Sequence, residues 1–379
     1  MPNYMIKKIL KKTVRTLLWL VGIIITFIVI AIIFTKLDPV FGGTPDEQSQ
    51  HKIEASKNFN GAIFVNMEET DMMHYKVDPK AWKGQKQGAL GQLFPAGDKN
   101  PKAPLPSVKF DKKLFSAGNF AWLGHSTLIM NVDNQNIIID PVFYKASPIF
   151  IGGKPFALKN PTTISDLPKI DFVLISHDHY DHLDAKALKE MKPLVKKYLV
   201  PLGIKAHLVK WGIESDKIME FDWYESTIQQ TINFIFTPSR HFSGRGILGR
   251  NTTLWGGWVI KGTTQNIYAS GDSGYTKEFA TIGEKYGPFD IAFLESGAYN
   301  SDWAQIHMFP EQSVQAGIDV KSNVLFPIHW GKFDLSLHHW KEPIVRFTKY
   351  AKEKQKEVAT PFIGEIFDLE KLPRRHWWK

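Results

Sequence analysis

Residues 170–184 read IDFVLISHDHYDHLD. The first six positions form an apolar, β-branched run with the length and composition of a buried strand. Directly after it stand Ser176, His177, Asp178, His179, Tyr180, Asp181, His182, Leu183 and Asp184. One histidine in a sequence is usually a packed or solvated side chain. Three histidines and two aspartates within six positions are different, because a turn at a strand end can aim the alternate imidazoles of His177 and His179 at one metal ion. Asp181 and His182 then face a second ion a few ångströms away.

Similar strand-like runs continue outward from this segment: NFAWLGHSTLIMNV, NIIIDP, NFIFTP, LWGGWVI, NIYASGD, FDIAFLES and SNVLFPIH. Helical patterns are expected at about 185–191, 310–319 and 343–354, with Pro310 and Pro343 suited to a first helical turn. Strands mixed with helices over about 265 residues imply one α/β domain. Three more candidate ligands sit where strands give way to loops: His241 after NFIFTPSR, Asp272 in YASGDSG and His329 in LFPIHWG. In α/β sheets the carboxyl ends of strands collect binding groups, so residues distant in sequence can converge there. The chain has no cysteine, which excludes disulfides, thiolate metal sites and a cysteine nucleophile, so any metal takes nitrogen and oxygen ligands.

The order HxHxDH, His, Asp, His resembles the metallo-β-lactamase fold superfamily of dinuclear zinc hydrolases over roughly residues 114–370. WLGHSTLIM, IDPVF, LPKIDFVLISHDHYDHLD, FTPSRHFSGR, GDSGY, GPFDIAFLESGAY and IHWGKF resemble, segment by segment, the N-acylphosphatidylethanolamine-hydrolysing phospholipase D family. Lactonases related to ascorbate catabolism share a looser version of the pattern. The resemblance implies an αβ/βα sandwich holding two Zn²⁺ ions, with other divalent metals possible. His177, His179 and His241 would hold the first ion, Asp181, His182 and His329 the second, and Asp272 would bridge them. The implied reaction releases N-acylethanolamine and phosphatidic acid from the phospholipid and needs no protein nucleophile, with Asp181, Asp272 and His307 as its catalytic side chains. A lactonase or another hydrolase of the same fold is the alternative.

Other residues have supporting readings. His307 would contact the phosphate, assist the leaving group or simply pack at a helix entry. His125 is expected to be structural or to support a ligand. Asp140 is expected to orient the site, and Asp184 to support a ligand or cap a helix. His338 and His339 are candidates for the pocket wall. The tail Arg374-Arg375-His376-Trp377-Trp378-Lys379 combines basic and aromatic residues like an interfacial anchor.

The net charge of +9 is concentrated near the N-terminus. Lys7, Lys8, Lys11, Lys12 and Arg15 make residues 1–15 a basic, cytoplasmic segment. Residues 76–113 hold nine lysines against Asp78, Asp98 and Asp111. Everything else sums to −2, so the catalytic portion lacks the basic footprint of a nucleic-acid enzyme. Between the two basic stretches, Thr16–Phe34 runs for nineteen residues without a charge, enough at ~1.5 Å per residue to cross a ~30 Å hydrocarbon core. The run is longer than a signal-peptide core and no small-x-small cleavage site follows it. The expected organisation is a transmembrane helix at 16–35, a lysine-, proline- and glycine-rich spacer or lid at 36–113, and the catalytic domain at 114–379. Basic residues before the span place the N-terminus inside and the catalytic domain outside the cytoplasm, in the periplasm of a bacterium. The expected partners are the bilayer and a phospholipid; oligomeric state has no signature in the sequence.

Overall fold

The computed structural model describes residues 2–71, 98–148, 153–246 and 249–379. Lys76, Lys80, Lys83 and Lys86 of the lysine-rich stretch lie outside them. Helix α1 (Pro2–Leu37) contains the one helix segment among the described residues, Lys7–Thr35, that is long and apolar enough to cross a membrane. Helix α2 spans Glu47–Ala55, with Asp46 accepting from the Ser49 amide at its start.

Among the described residues, fourteen strands follow in two seven-stranded sheets. The first holds β1 (Phe120–Trp122), β2 (Leu128–Val132), β3 (Gln135–Ile139), β4 (Ile170–Leu174), β5 (Val195–Pro201), β6 (Ile218–Phe221) and, across the chain, β14 (Ile366–Phe367), in the order β14-β1-β2-β3-β4-β5-β6. The second holds β7 (Ser226–Gln229), β8 (Ile232–Thr237), β9 (Gly257–Lys261), β10 (Asn266–Ala269), β11 (Phe289–Glu295), β12 (Ser322–Ile328) and β13 (Glu357–Val358), in the order β13-β12-β11-β10-β9-β8-β7. The run from β3 to β6 is parallel, as is that from β10 to β13. Each strand-to-loop transition at the carboxyl end of these parallel strands therefore opens on the same edge of its sheet.

The sheets face each other across a core of large side chains, including Trp122, Phe172, Phe234, Trp258, Phe293 and Phe326. Helices α3 (Ala185–Met191) and α4 (Lys205–Lys210) cover the outer face of the first sheet through Leu188, Met191 and Leu208. Helices α5 (Glu278–Tyr286), α6 (Pro310–Asp319) and α7 (Glu342–Glu353) cover the second through Phe279, Val314 and Phe347. Buried on both faces, the central strands read as continuous apolar runs. This is the αβ/βα sandwich expected from the sequence.

The expected run NFAWLGHSTLIMNV is not one strand. It turns at Gly124 and His125, with φ of +90° and +56°, so β1 and β2 pair antiparallel. Residues 36–113, expected as a spacer or lid, are anchored on the domain at several of their described positions. Ile53, Phe64 and Leu105 are buried in the inter-sheet core. Lys99 pairs with Asp334 at 2.9 Å and Lys109 with Asp166 at 3.0 Å, while Lys112 Nζ donates to the carbonyls of Ser165 and Leu167. The C-terminal tail is packed too: Trp378 is buried, Trp377 stacks on Trp330 at 5.1 Å, and Arg374 and Arg375 pair with Glu357 and Glu365. Its aromatic residues complete the core behind β12 and are not a free interfacial anchor.

Because Phe64 is fully buried, Phe64→Ala is expected to cost about 3–5 kcal/mol of unfolding free energy, read from denaturant midpoints. A loss below about 1 kcal/mol would show that this segment adds little to the core.

Candidate metal centre

The site is built at strand ends. β4 stops at Leu174, and Asp140, just beyond β3, accepts hydrogen bonds from the Ser176 amide at 2.8 Å and the Ser176 hydroxyl at 2.6 Å. The same carboxylate lies 2.8 Å from His182 Nδ1. Asp140 thus pins both ends of the 176–182 loop, the orienting role expected of it. His241 follows β8, and its backbone is clamped by Asn66: the Asn66 side-chain amide donates to the His241 carbonyl at 2.8 Å and its oxygen accepts from the His241 amide at 3.1 Å. Asp272 follows β10, and His329 follows β12 with φ +69°.

All seven side chains expected as ligands reach one cluster. His177 Nε2 is 2.8 Å from His179 Nδ1, which is 3.2 Å from His241 Nε2. On the other side His329 Nε2 lies 3.2 Å from Asp181 Oδ2, with His182 Nε2 3.7 Å from the same oxygen. Asp272 Oδ2 sits between the two triads. It is 3.0 Å from His329 and 3.2 Å from His182, and 3.8 Å from His241 and 3.9 Å from His177.

These donors fit divalent metal ions. Tetrahedral bonds of ~2.1 Å to zinc put ligand nitrogens roughly 3.4 Å apart, close to the spacing within His177, His179 and His241. His182 Nε2 and Asp272 Oδ1 are buried and make no hydrogen bond, a costly state for polar atoms unless another partner takes them. The two triads differ in charge. Burial, reinforced by neighbouring imidazoles, holds His177 and His241 well below the ordinary histidine range, and His179 is lowered by burial as well. Burial also presses on His182 and His329, but there the carboxylates win. Asp272, Asp181 and Asp140 hold His182 well above its ordinary value, and Asp272 with Asp181 raises His329 to about 10. Against the cost of their own burial, Asp181 and Asp272 are held well below the carboxylate range by those histidines. Without metal, the first triad is therefore neutral and the second is a compensated set of ion pairs.

The surrounding side chains correct or extend the sequence reading. His125, expected to be structural or to support a ligand, places Nε2 2.9 Å from Asp181 Oδ2, and its ring is 4.0 Å from that of His329. It joins Asp181, His182 and His329 in one group of potential ligand atoms. His307 stands at the rim with its side chain 13% exposed and Nδ1 4.0 Å from Asp272. Its orienting partner, Glu295, was not expected. This fully buried carboxylate lies 3.2 Å from His307 Nδ1 and 3.7 Å from His329 Nδ1, and accepts from the Met308 amide. Its signal in the sequence is a second acid, after Asp290, placed at the carboxyl end of the strand FDIAFLE behind the apolar run 291–294. Asp184 caps α3, accepting from the Lys186 and Ala187 amides. His338 stacks on Tyr299 and shares a small recess with His125 and His329; His339 lies beside Trp340, outside that recess.

The charge difference generates a prediction. A metal takes neutral imidazole, so filling the second triad must expel the protons on His182 and His329, whereas the first triad has none to expel. Affinity for the second equivalent should rise with pH more steeply than that for the first, and calorimetry in buffers of different ionisation enthalpy should show more protons released with it. Equal, proton-free binding of both equivalents would contradict this asymmetry.

The chain resembles known proteins. The profile of the beta-lactamase superfamily domain matches residues 135–330. An uncharacterized protein of Mycobacterium tuberculosis is 37% identical over 339 residues, 86% of this chain and 88% of the relative. The N-acyl-phosphatidylethanolamine-hydrolyzing phospholipase D 1 of Caenorhabditis elegans is 33% identical over 285 residues, 70% of this chain and 80% of the relative. Among solved structures, the metallo hydrolase Igni18 of Ignicoccus hospitalis superposes with a TM-score of 0.51 at 23% identity, over 66% of this chain and 97% of that one. The chain belongs to the metallo-β-lactamase fold superfamily, and within it is similar to the N-acylphosphatidylethanolamine-hydrolysing phospholipases D.

Proposed function

We propose that the protein is a membrane-anchored, dinuclear zinc phosphodiesterase that hydrolyses N-acylphosphatidylethanolamine-like phospholipids to N-acylethanolamine and phosphatidic acid. The observation that carries this reading is Asp272 Oδ2, set within 3.0–3.9 Å of imidazoles from both triads. His177, His179 and His241 would hold one ion, Asp181, His182 and His329 the other, and Asp272 both. Two such ions would supply an acidified water and offset charge on a phosphoryl oxygen.

The chain's own side chains do the rest. His307, more exposed than its buried neighbours, reaches the substrate phosphate or leaving oxygen, and Glu295 orients its ring. Asp181 and Asp272 set the charge of the centre, and Asp140 with Asn66 keeps two of the histidines from turning away. Helix α1 ties the domain to the bilayer, where a lipid substrate is met at high effective concentration. The basic residues before it favour an N-terminus inside and a domain outside the cytoplasm.

Purified protein given a mixed phospholipid dispersion and, separately, a lactone panel should release N-acylethanolamine and phosphatidic acid and leave the lactones intact. Asp272→Asn should lose most of that activity. Lactone opening without phospholipid turnover would replace this reading with the lactonase one. Protease added to intact spheroplasts should remove the catalytic domain; protection until the inner membrane is opened would reverse the orientation.

A further inference from the structure

The face of the 177–182 loop turned away from the ligand cluster is occupied by the segment that leaves α1. After Leu37, Asp38 caps a single 3₁₀ turn, Pro39–Phe41, by accepting from the Val40 amide at 2.9 Å. The next residues are seated without slack. A Cβ on Gly42, whose φ is +96°, would fall 2.2 Å from the His207 ring, and one on Gly43 would fall 2.3 Å from the Ala206 carbonyl.

Two separate links run from this turn to the loop. The first is Arg245, a buried guanidinium whose hydrogen bonds, among the described residues, reach backbone carbonyls. Nη1 donates to the carbonyls of Asp178 at 2.6 Å and Leu183 at 2.8 Å, which bracket His179, Asp181 and His182. Nε and Nη2 donate to the Val40 carbonyl at 3.1 and 3.0 Å. The guanidinium also lies 4.1 Å from the Tyr180 ring, and the Tyr180 hydroxyl donates to the Arg245 carbonyl. The second link is His207. Its Nδ1 accepts from the Gly43 amide at 3.0 Å, and its Nε2 lies 3.6 Å from Asp178 Oδ2, while Asp178 Oδ1 accepts from the Gly244 amide. Trp211 closes the seat by donating to the Pro39 carbonyl.

We propose that the juxtamembrane turn Pro39–Gly43 is a working part of the metal loop, with Arg245 and His207 as positioning residues, so that seating of the membrane anchor and metal binding by residues 177–182 strengthen each other. A planar five-donor fork joining two backbone segments has no lysine equivalent. Losing its Val40 carbonyl leaves two buried donors unpaired and frees the guanidinium to swing off Asp178 and Leu183. Supports of this kind behind metal ligands typically matter 10–100-fold in affinity, and the effect must be reciprocal, because coupling between two binding events is shared by both. The inference rests on metal binding by the loop and not on the identity of the substrate.

The test uses the full-length chain in detergent. Gly43→Val places its side chain against Ala206 and touches no proposed ligand. Chelator competition should show zinc held roughly tenfold or more weakly than in the unsubstituted protein, and hydrogen exchange over residues 38–46 should be faster. Faster exchange there with unchanged zinc affinity would overturn the coupling. If Gly43→Val fails to fold, the unsubstituted chain gives the same test in reverse. Removing zinc should speed exchange of the 38–46 peptide and restoring it should slow exchange again; exchange that ignores zinc would overturn the proposal equally. A chain that takes up no zinc at all fails the metal reading instead, and the titration shows that separately.

Discussion

The fold is arranged around the burial of one carboxylate, Asp272, among imidazoles from three other loops. An unpaired charge at that depth would cost several kcal/mol, and the site avoids it by surrounding one oxygen with His177, His182, His241 and His329. Bringing them there demands close backbone approach. Gly271, at φ +60°, has no room for a Cβ, which would lie 2.3 Å from the Gly256 carbonyl. The Ser270 hydroxyl accepts from the Glu295 amide, so the loop carrying Asp272 is fastened to the end of the strand carrying the carboxylate behind His307. The proposed ligands, their supports and the two sheets that aim them form one connected structure.

That connection extends beyond the domain edge. Asn66, from the segment after α2, holds the backbone of His241, and Arg245, four residues past His241, holds both the HDHYDH loop and the turn that leaves α1. The residues preceding the catalytic domain in sequence are thus built into the walls of its centre. An enzyme acting on a bilayer lipid would gain from such an arrangement, since a helix α1 seated in the membrane as proposed would also brace the HDHYDH loop.

Much of this was legible in the sequence, for physical reasons that differ by residue. His177, His179, Asp181 and His182 share one loop, so their spacing alone carries the geometry. His241, Asp272 and His329 were legible because each closes a long apolar run, and parallel strands open on one edge. Helices α3 and α6 begin and end where the periodicity and Pro310 place them. Strand β5 was not anticipated, because Lys196 and Lys197 interrupt its apolar pattern, and β13 and β14 are two residues long. Asn66 and Arg245 act through neighbours distant in sequence, and nothing local distinguishes them from ordinary polar residues. The position of His125 depends on a left-handed turn that interrupts a run otherwise reading as a single strand.

The most direct measurement is anomalous diffraction at the zinc edge from crystals of the full chain grown with zinc. Two peaks about 3.5–4 Å apart, one among His177, His179 and His241, the other among Asp181, His182 and His329, with Asp272 touching both, are predicted. A single peak, or a second one beyond the reach of Asp272, would contradict a centre built on a shared carboxylate.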